Sequence, residues 1–264
     1  MLRHIVQGMF HRIGFDVHRR ADQELPYIQP IECAAERFQF WIASQHTRDW
    51  WGRPQVPMNA EVASLQALCS PGSVVLDVGA HHGFFSVLFA RWAGPRGHIH
   101  AFEASAPNAL VLDANVALNR LTNCTCTYAA VSNEPGQIQM NGEAVSGHPT
   151  GGPYVPQVTL DDYCTTVGIE HVDLLKIDVE GFEGQVLLGS QRILATRPKI
   201  ALEIHLDDLA RFGHSVDTVL ALLPRDDYTG EFMIRPDWER LSPWEGRGSL
   251  PAQGVVNVFL RPRA

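Results

Sequence analysis

The chain has 264 residues, of which 45% are hydrophobic and 19% charged, with a formal net charge of −8. This length and composition suit one or two globular domains with a substantial core and exclude a chain disordered throughout. The acidic balance argues against tight sequence-independent binding to nucleic acid, which rests on many lysine and arginine contacts to phosphate.

Residues 2 to 13 place Leu2, Ile5, Val6, Met9, Phe10 and Ile13 on one helical face, with Arg3, His11 and Arg12 off it. This predicts a basic amphipathic helix that docks on the main domain, on a second copy in a homo-oligomer, or on a membrane surface. Residues 21 to 58 are punctuated by Pro26, Pro30, Pro54 and Pro57, with a helix predicted from Ile31 to about Ser44. The aromatic cluster Phe38, Phe40, Trp41, Trp50 and Trp51 reads as core or as a lid over a site. Residues 1–58 are therefore set apart as an N-terminal helical and aromatic extension, and 59–264 as the main domain.

The main domain alternates helices and short apolar strands. Helices are predicted at Glu61–Cys69, Ser86–Trp92, Ala106–Asn119 and Glu183–Leu194. Strands are predicted at Val74–Leu76, Ile99–Phe102, Cys124–Val131, Val172–Ile177 and Lys199–Ile204. That alternation predicts a doubly wound α/β sheet, mostly parallel and covered on both faces. Phe232–Ile234 and Val255–Leu260 have no good helix between them and predict an antiparallel C-terminal strand pair. Residues 142–156, rich in Gly and Pro, read as a long surface loop. The cysteines Cys33, Cys69, Cys124, Cys126 and Cys164 form no CxxC pair and read as reduced thiols. No run is apolar enough to span a bilayer and no secretory leader pattern opens the chain, so a cytoplasmic location is expected.

The chemistry centres on Leu76-Asp77-Val78-Gly79-Ala80-His81-His82-Gly83, a strand end, a glycine turn and a helix start. Such a turn lies where ligands bind in open α/β sheets. The turn is not the GxGxxG of dinucleotide binders. An acid at Asp77 would repel a pyrophosphate and attract the ammonium and sulfonium of S-adenosylmethionine (SAM). Glu103, closing Ala101-Phe102-Glu103, is placed to accept hydrogen bonds from ribose hydroxyls, a device that NAD enzymes share.

These strings, with Ala129-Ala130-Val131-Ser132, Thr159-Leu160-Asp161-Asp162-Tyr163, Lys176-Ile177-Asp178-Val179-Glu180-Gly181 and Leu202-Glu203-Ile204-His205, resemble the FkbM family of methyltransferases over roughly residues 59 to 206. The resemblance implies a Rossmann-like fold, SAM as methyl donor, and cofactor contacts at Asp77, Gly79, Ala80, Gly83, Ser86 and Glu103, with the adenine near Ala129, Ala130 and Val131. His81 stands where the family usually has Asn and is expected to keep that hydrogen-bonding role. The resemblance also implies O-methylation of a hydroxyl on a small natural product or sugar.

Asp178 follows one strand and Glu203 and His205 end the next, so all three are expected where methyl donor and acceptor meet. Asp178 is expected to hold the cofactor's amino acid portion, to bind the acceptor hydroxyl, or to act as a base. His205 is taken as the general base with Glu203 orienting its ring. The second reading is a divalent metal held by Asp178, Glu203 and His205; the metal-free base is preferred. An NAD-type dehydrogenase on the same fold, or a catalytically silent partner-binding domain, are the competing readings.

Overall fold

The computed structural model describes residues 24–142, 144–145, 151–223, 227–246, 248 and 250–263. The expected helix over residues 2 to 13 lies outside them. Short β-branched runs that stop at glycine turns form the central strands: β3 (Val74–Val78), β4 (His98–Glu103), β5 (Cys124–Tyr128), β10 (Leu174–Ile177) and β11 (Lys199–His205). With β12 (Tyr228–Ile234), β13 (Ser242–Pro243) and β14 (Val255–Pro262) they make one eight-stranded sheet, in the order β13-β12-β14-β11-β10-β3-β4-β5. Strands β11, β10, β3, β4 and β5 pair in parallel, while β14 runs antiparallel to both β11 and β12. Strand order therefore reverses beside β3, the position at which a doubly wound sheet opens a ligand crevice at the carboxyl ends of its strands.

Both faces of the sheet are covered. Alternate residues serve opposite cores, as the two-residue period of a strand requires. Val75, Leu174, Ala201 and Phe259 pack under α2 (Ala60–Leu68) and α3 (Phe84–Ala93). Leu76, Leu175, Leu202 and Val258 pack under α5 (Leu160–Val167), α6 (Glu183–Leu188), α7 (Gln191–Ala195) and α8 (Val216–Ala221). Helix α4 (Ala106–Leu118) lies against β4 and β5 through Leu112 and Val116. A smaller sheet of β6 (Ala130–Val131), β9 (Tyr154–Val158), β7 (Gly136–Asn141) and β8 (Ala144–Val145) flanks the crevice.

Several expectations are corrected. The helix predicted from Ile31 to Ser44 is a hairpin of β1 (Tyr27–Cys33) and β2 (Glu36–Ile42), followed by α1 (Gln45–Trp51). Its buried residues alternate: Ile31 and Cys33 on one strand, Phe38, Phe40 and Ile42 on the other. The turn residues Ala34 and Ala35 both have positive φ, 50° and 63°, as a two-residue type I′ connection requires. The strand predicted over Cys124–Val131 breaks at Ala129, where the chain leaves the large sheet for the small one. The loop over 142–156 carries β8 and the start of β9. The helix over Glu183–Leu194 is divided at Gly189, where a side chain would strike the Ser132 carbonyl at 2.0 Å. All five cysteines are free thiols.

The hairpin belongs to the same core as the sheet, since Phe38, Phe40 and Ile42 join Val75, Leu88 and Phe89 in one cluster. Asn115, fully buried on α4, ties it to the glycine turn. Its Oδ1 accepts from the Trp41 backbone N–H at 2.7 Å and its Nδ2 donates to the His82 carbonyl at 2.9 Å. Asn115→Ala removes both bonds and leaves buried backbone groups unpaired. The expected loss is about 2 kcal/mol in urea unfolding, whereas Asn119→Ala, at a half-buried position one turn further on, is expected to lose less.

Candidate active site

A cleft of about 800 Å³ opens at the carboxyl ends of β3, β4, β10 and β11, within the range of small-molecule sites. Its walls include Gly79, Ala80 and His81 of the turn, Glu103 after β4, Ala129, Ala130 and Val131, and Asp178 and Glu203. Gly83, Ser86 and His205 are not among the residues lining it.

The turn is held by backbone geometry. Gly79 has φ 78°, and a Cβ there would sit 1.7 Å from the Asp178 carbonyl oxygen, so no other residue fits between β3 and β10. The N–H groups of Gly79 and Ala80 both donate to the Phe102 carbonyl, at 3.0 and 2.9 Å. His81 follows at φ 51°, and its N–H donates to Glu103 Oε2 at 2.7 Å. The Ser105 N–H donates to Glu103 Oε1 at 2.7 Å. Two backbone donors thus fix the plane of the Glu103 carboxylate at the cleft edge. The His81 ring packs against Trp50 and Trp51, and burial holds its pKa down at about 4, so it is neutral near pH 7. Gly83 caps α3 and abuts Leu112.

Asp77 is fully buried and, with Lys176, lines the bottom of the cleft. Ser86 donates to its Oδ2 at 2.6 Å, and Lys176 Nζ lies 3.3 Å from its Oδ1. Its charge is met first by Lys176, and Ser86 serves Asp77 from behind the cleft. Lys176 itself lies 3.7 Å from Asp178 Oδ2. Burial alone would lower its pKa, but Asp77, Asp178, Glu203 and Glu61 outweigh burial and raise it. The ammonium stays charged.

This charge belongs to a polar row. Asp77, Lys176, Glu203, Asn257 and Arg235 each lie two residues along from an apolar residue of the α2–α3 face, so they share that face at its carboxyl-end border. Glu61, in the first turn of α2, comes down onto the row. Asn257 Nδ2 donates to Glu203 Oε2 at 2.8 Å and to Glu61 Oε1 at 3.3 Å, and Arg235 donates to Glu203 Oε2 at 2.6 Å. Burial pushes the pKa of both Glu61 and Glu203 up.

His205 closes the row. Its Nδ1 meets Glu183 Oε1 at 2.9 Å; its Nε2 lies 3.2 Å from Glu180 Oε2 and 3.4 Å from Glu203 Oε1. Glu183 thus holds the ring through Nδ1, while Glu203, the orienting partner expected from the sequence, lies beside Nε2. Burial alone would lower the His205 pKa. The Glu183 hydrogen bond and the surrounding carboxylates of Asp178, Glu180 and Glu183 outweigh it and raise the value to about 9. Ligand atoms of Asp178, Glu203 and His205 all lie within 4.8 Å of one another.

Sequence reasoning brought together Asp77, Glu103, Asp178, Glu203 and His205. It missed Glu61, Glu183, Arg235 and Asn257, and assigned no role to Lys176. The one available signal was a lysine inside an otherwise apolar strand, which must find a carboxylate.

A sheet that reverses at β3, with a glycine turn there and an acid closing the next strand, defines a Rossmann-like enzyme built around a nucleoside-containing cofactor. Residues 77–229, more than half of the chain, match the methyltransferase FkbM domain, and the protein belongs to this family of SAM-dependent methyltransferases. It is similar to the 2-O-methyltransferase NoeI of Sinorhizobium fredii, at 25% identity over 66% of this chain and 80% of NoeI. It is also similar to the 31-O-demethyl-FK506 methyltransferase FkbM of Streptomyces tacrolimicus, at 32% identity over 45% of this chain and 60% of that protein. Among solved structures, a Streptococcus mutans protein assigned as a SAM-dependent methyltransferase shares the fold. Its TM-score is 0.51 at 12% identity, covering 91% of this chain and 57% of that one.

Lys176→Met is expected to strand buried carboxylates and to cost about 3–5 kcal/mol in urea unfolding. Combining it with Asp77→Asn should recover part of that loss, because the partner charge is gone as well. Equal losses in the single and double variants would show that Lys176 does not pair with Asp77.

Proposed function

We propose that the protein transfers a methyl group from SAM to a hydroxyl of a small natural product or sugar. The observation that carries this reading is the pair of carboxylates Asp178 and Glu203 lining the same cleft as Glu103 and the glycine turn, with His205 behind them. The cleft residues fit the donor. Glu103 presents a carboxylate fixed by two backbone N–H groups, suited to a ribose diol, and Ala129, Ala130 and Val131 offer a flat apolar surface suited to adenine. The turn carries no GxGxxG pattern for a pyrophosphate. When bound, SAM supplies a methyl group activated by its sulfonium.

The chain's own residues do the rest. Glu103, Gly79, Ala80 and His81 fix the donor, while Asp77 acts through Lys176 and Asp178 to set the charge beneath it. Asp178 and Glu203 face the cleft and receive the acceptor hydroxyl. With SAM bound, Asp178 and Glu203 would hold the hydroxyl oxygen in line with the methyl carbon, and the acidic corner would take the hydroxyl proton as the methyl group passes from sulfur to oxygen. Holding both reactants in line supplies much of the acceleration, because it replaces a bimolecular encounter. Sulfonium charge is neutralised in the step, so no strong oxyanion hole is required.

Trp50, 55% exposed, Trp51 and Trp238 also line the cleft, Trp238 stacked on the Arg235 guanidinium. Their flat faces suit the apolar face of a sugar or ring-containing acceptor. The names of NoeI and FkbM both describe transfer to oxygen, which supports the same chemistry here. Helix α1 and the segment after it line the cleft through Trp50, Trp51, Arg53 and Val56, and we assign residues 45–58 the role of a cleft wall. Among the described residues no helix is long and apolar enough to cross a membrane.

Isotope-labelled SAM incubated with the protein and a panel of sugars and hydroxylated natural products, read by mass analysis, tests the reading. Label on acceptor oxygen is expected; label only on nitrogen or carbon would overturn it. In calorimetry, Glu103→Ala is expected to weaken SAM binding about tenfold, equivalent to about 1.4 kcal/mol. Asp178→Ala should lower kcat more than SAM affinity.

A further inference from the structure

We propose that Asp178, Glu203 and His205 hold a divalent metal ion of the Mn²⁺ type at the acceptor end of the cleft, with Glu180 in reach as a fourth donor. The inference rests on the reading of this cleft as a methyl-acceptor site and names how the hydroxyl is activated there. A metal bound to the acceptor oxygen lowers its pKa, so that the hydroxyl proton can pass to solvent water at the exposed Glu180 rim of the corner.

The case is geometric. Donor atoms of the three residues converge within 4.8 Å of one another. Each is also anchored on its far side. Glu203 Oε2 is taken by Arg235 at 2.6 Å and Asn257 at 2.8 Å, which aims Oε1 towards His205 Nε2. His205 Nδ1 is taken by Glu183 at 2.9 Å, which leaves Nε2 directed at Glu203 and Glu180. Lys176 faces Asp178 Oδ2 at 3.7 Å. Metal-bound histidines are typically held this way, with the second ring nitrogen donating to a carboxylate that fixes the tautomer.

Glu183 is the observation that separates this corner from an ordinary acidic cluster. It is fully buried, faces away from the cleft, and accepts from both the imidazole and the Gly181 N–H. A buried carboxylate is costly, and here it fixes the orientation of one ring. The charge balance agrees. Among the described residues, the ion pairs of Glu61, Asp77, Asp178, Glu180, Glu183 and Glu203 reach Lys176, Arg235 and the His205 ring, six carboxylates against two permanent cations. Two oxygens and one imidazole nitrogen, with no thiolate, suit a hard or borderline divalent ion. Glu180 sits at φ 55°, followed by Gly181 at φ 98°, a turn that brings its carboxylate over His205.

The test titrates EDTA-treated full-length protein with Mn²⁺, followed by loss of the free Mn²⁺ paramagnetic resonance signal. One saturable site per chain is expected. His205→Gln and Asp178→Asn should weaken it at least about tenfold, and Glu183→Gln, which lines no part of the cleft, by roughly 10–100-fold. Circular dichroism and SAM binding by calorimetry confirm that each variant is folded. Absence of saturable binding below millimolar Mn²⁺, or affinity unchanged in folded His205→Gln protein, overturns the proposal. Full methyl transfer in metal-free protein would overturn the metal and leave O-methylation standing. Mn²⁺ binding without transfer to any hydroxyl would do the reverse.

Discussion

A lysine ammonium has been taken out of water in the middle of a parallel sheet, and much of the site follows from that. Lys176 sits on β10 with Asp77 directly opposite on β3. An isolated buried charge would cost many kcal/mol or lose its proton. It is kept charged by carboxylates from several elements: Asp77 from β3, Asp178 from the strand end, Glu203 from β11 and Glu61 from α2. Those elements must meet around one atom, which sets how the strand ends and the covering helix approach each other. Such a network is weak evidence for stability, because desolvation offsets much of the attraction. It is better understood as fixing geometry, because a shifted strand would leave a buried charge without its partner.

The second constraint is the glycine turn. Gly79 lies so close to the Asp178 carbonyl that β3 and β10 leave no room for a side chain. The same turn hands the His81 N–H to Glu103, so β4 is bonded to it as well. Asn115 then joins the turn to the hairpin that carries the aromatic wall. The stacked pair Trp51–Phe84, with centroids 4.7 Å apart, seals that wall onto the start of α3. Donor loop, donor-binding acid and cleft wall are therefore one connected unit.

The parts legible in the sequence are those whose signal is local. Val74–Val78 and Leu174–Ile177 are buried on both faces and read as continuous apolar runs that stop at a turn or an acid. Asp77, Glu103 and Asp178 stand at strand ends, where chain order alone puts them on the crevice. The hairpin was misread because its turn is Ala34-Ala35, without the glycine or asparagine that announces positive φ. Yet its alternation of Ile31 and Cys33, then Phe38, Phe40 and Ile42, was present. The second layer of the site was illegible for a different reason. Glu61 meets Asn257 across 196 residues and Asn257 meets Glu203 across 54. Glu183 reaches His205 only because α6 packs on β11. No local pattern encodes such meetings; they exist only once the layers are packed.

Strand β14 lies between β11 and β12 although it follows both in the chain. During synthesis, β11 and β12 leave the ribosome first and have no hydrogen bonds to offer each other in the finished order. The gap between them is filled only when residues 255–262 arrive, and with them comes Asn257, the amide that bridges Glu61 and Glu203. A nascent chain can thus build its donor-binding half early and still lack an assembled acid corner. The acceptor side is complete only once residues 255–262 are in place between β11 and β12.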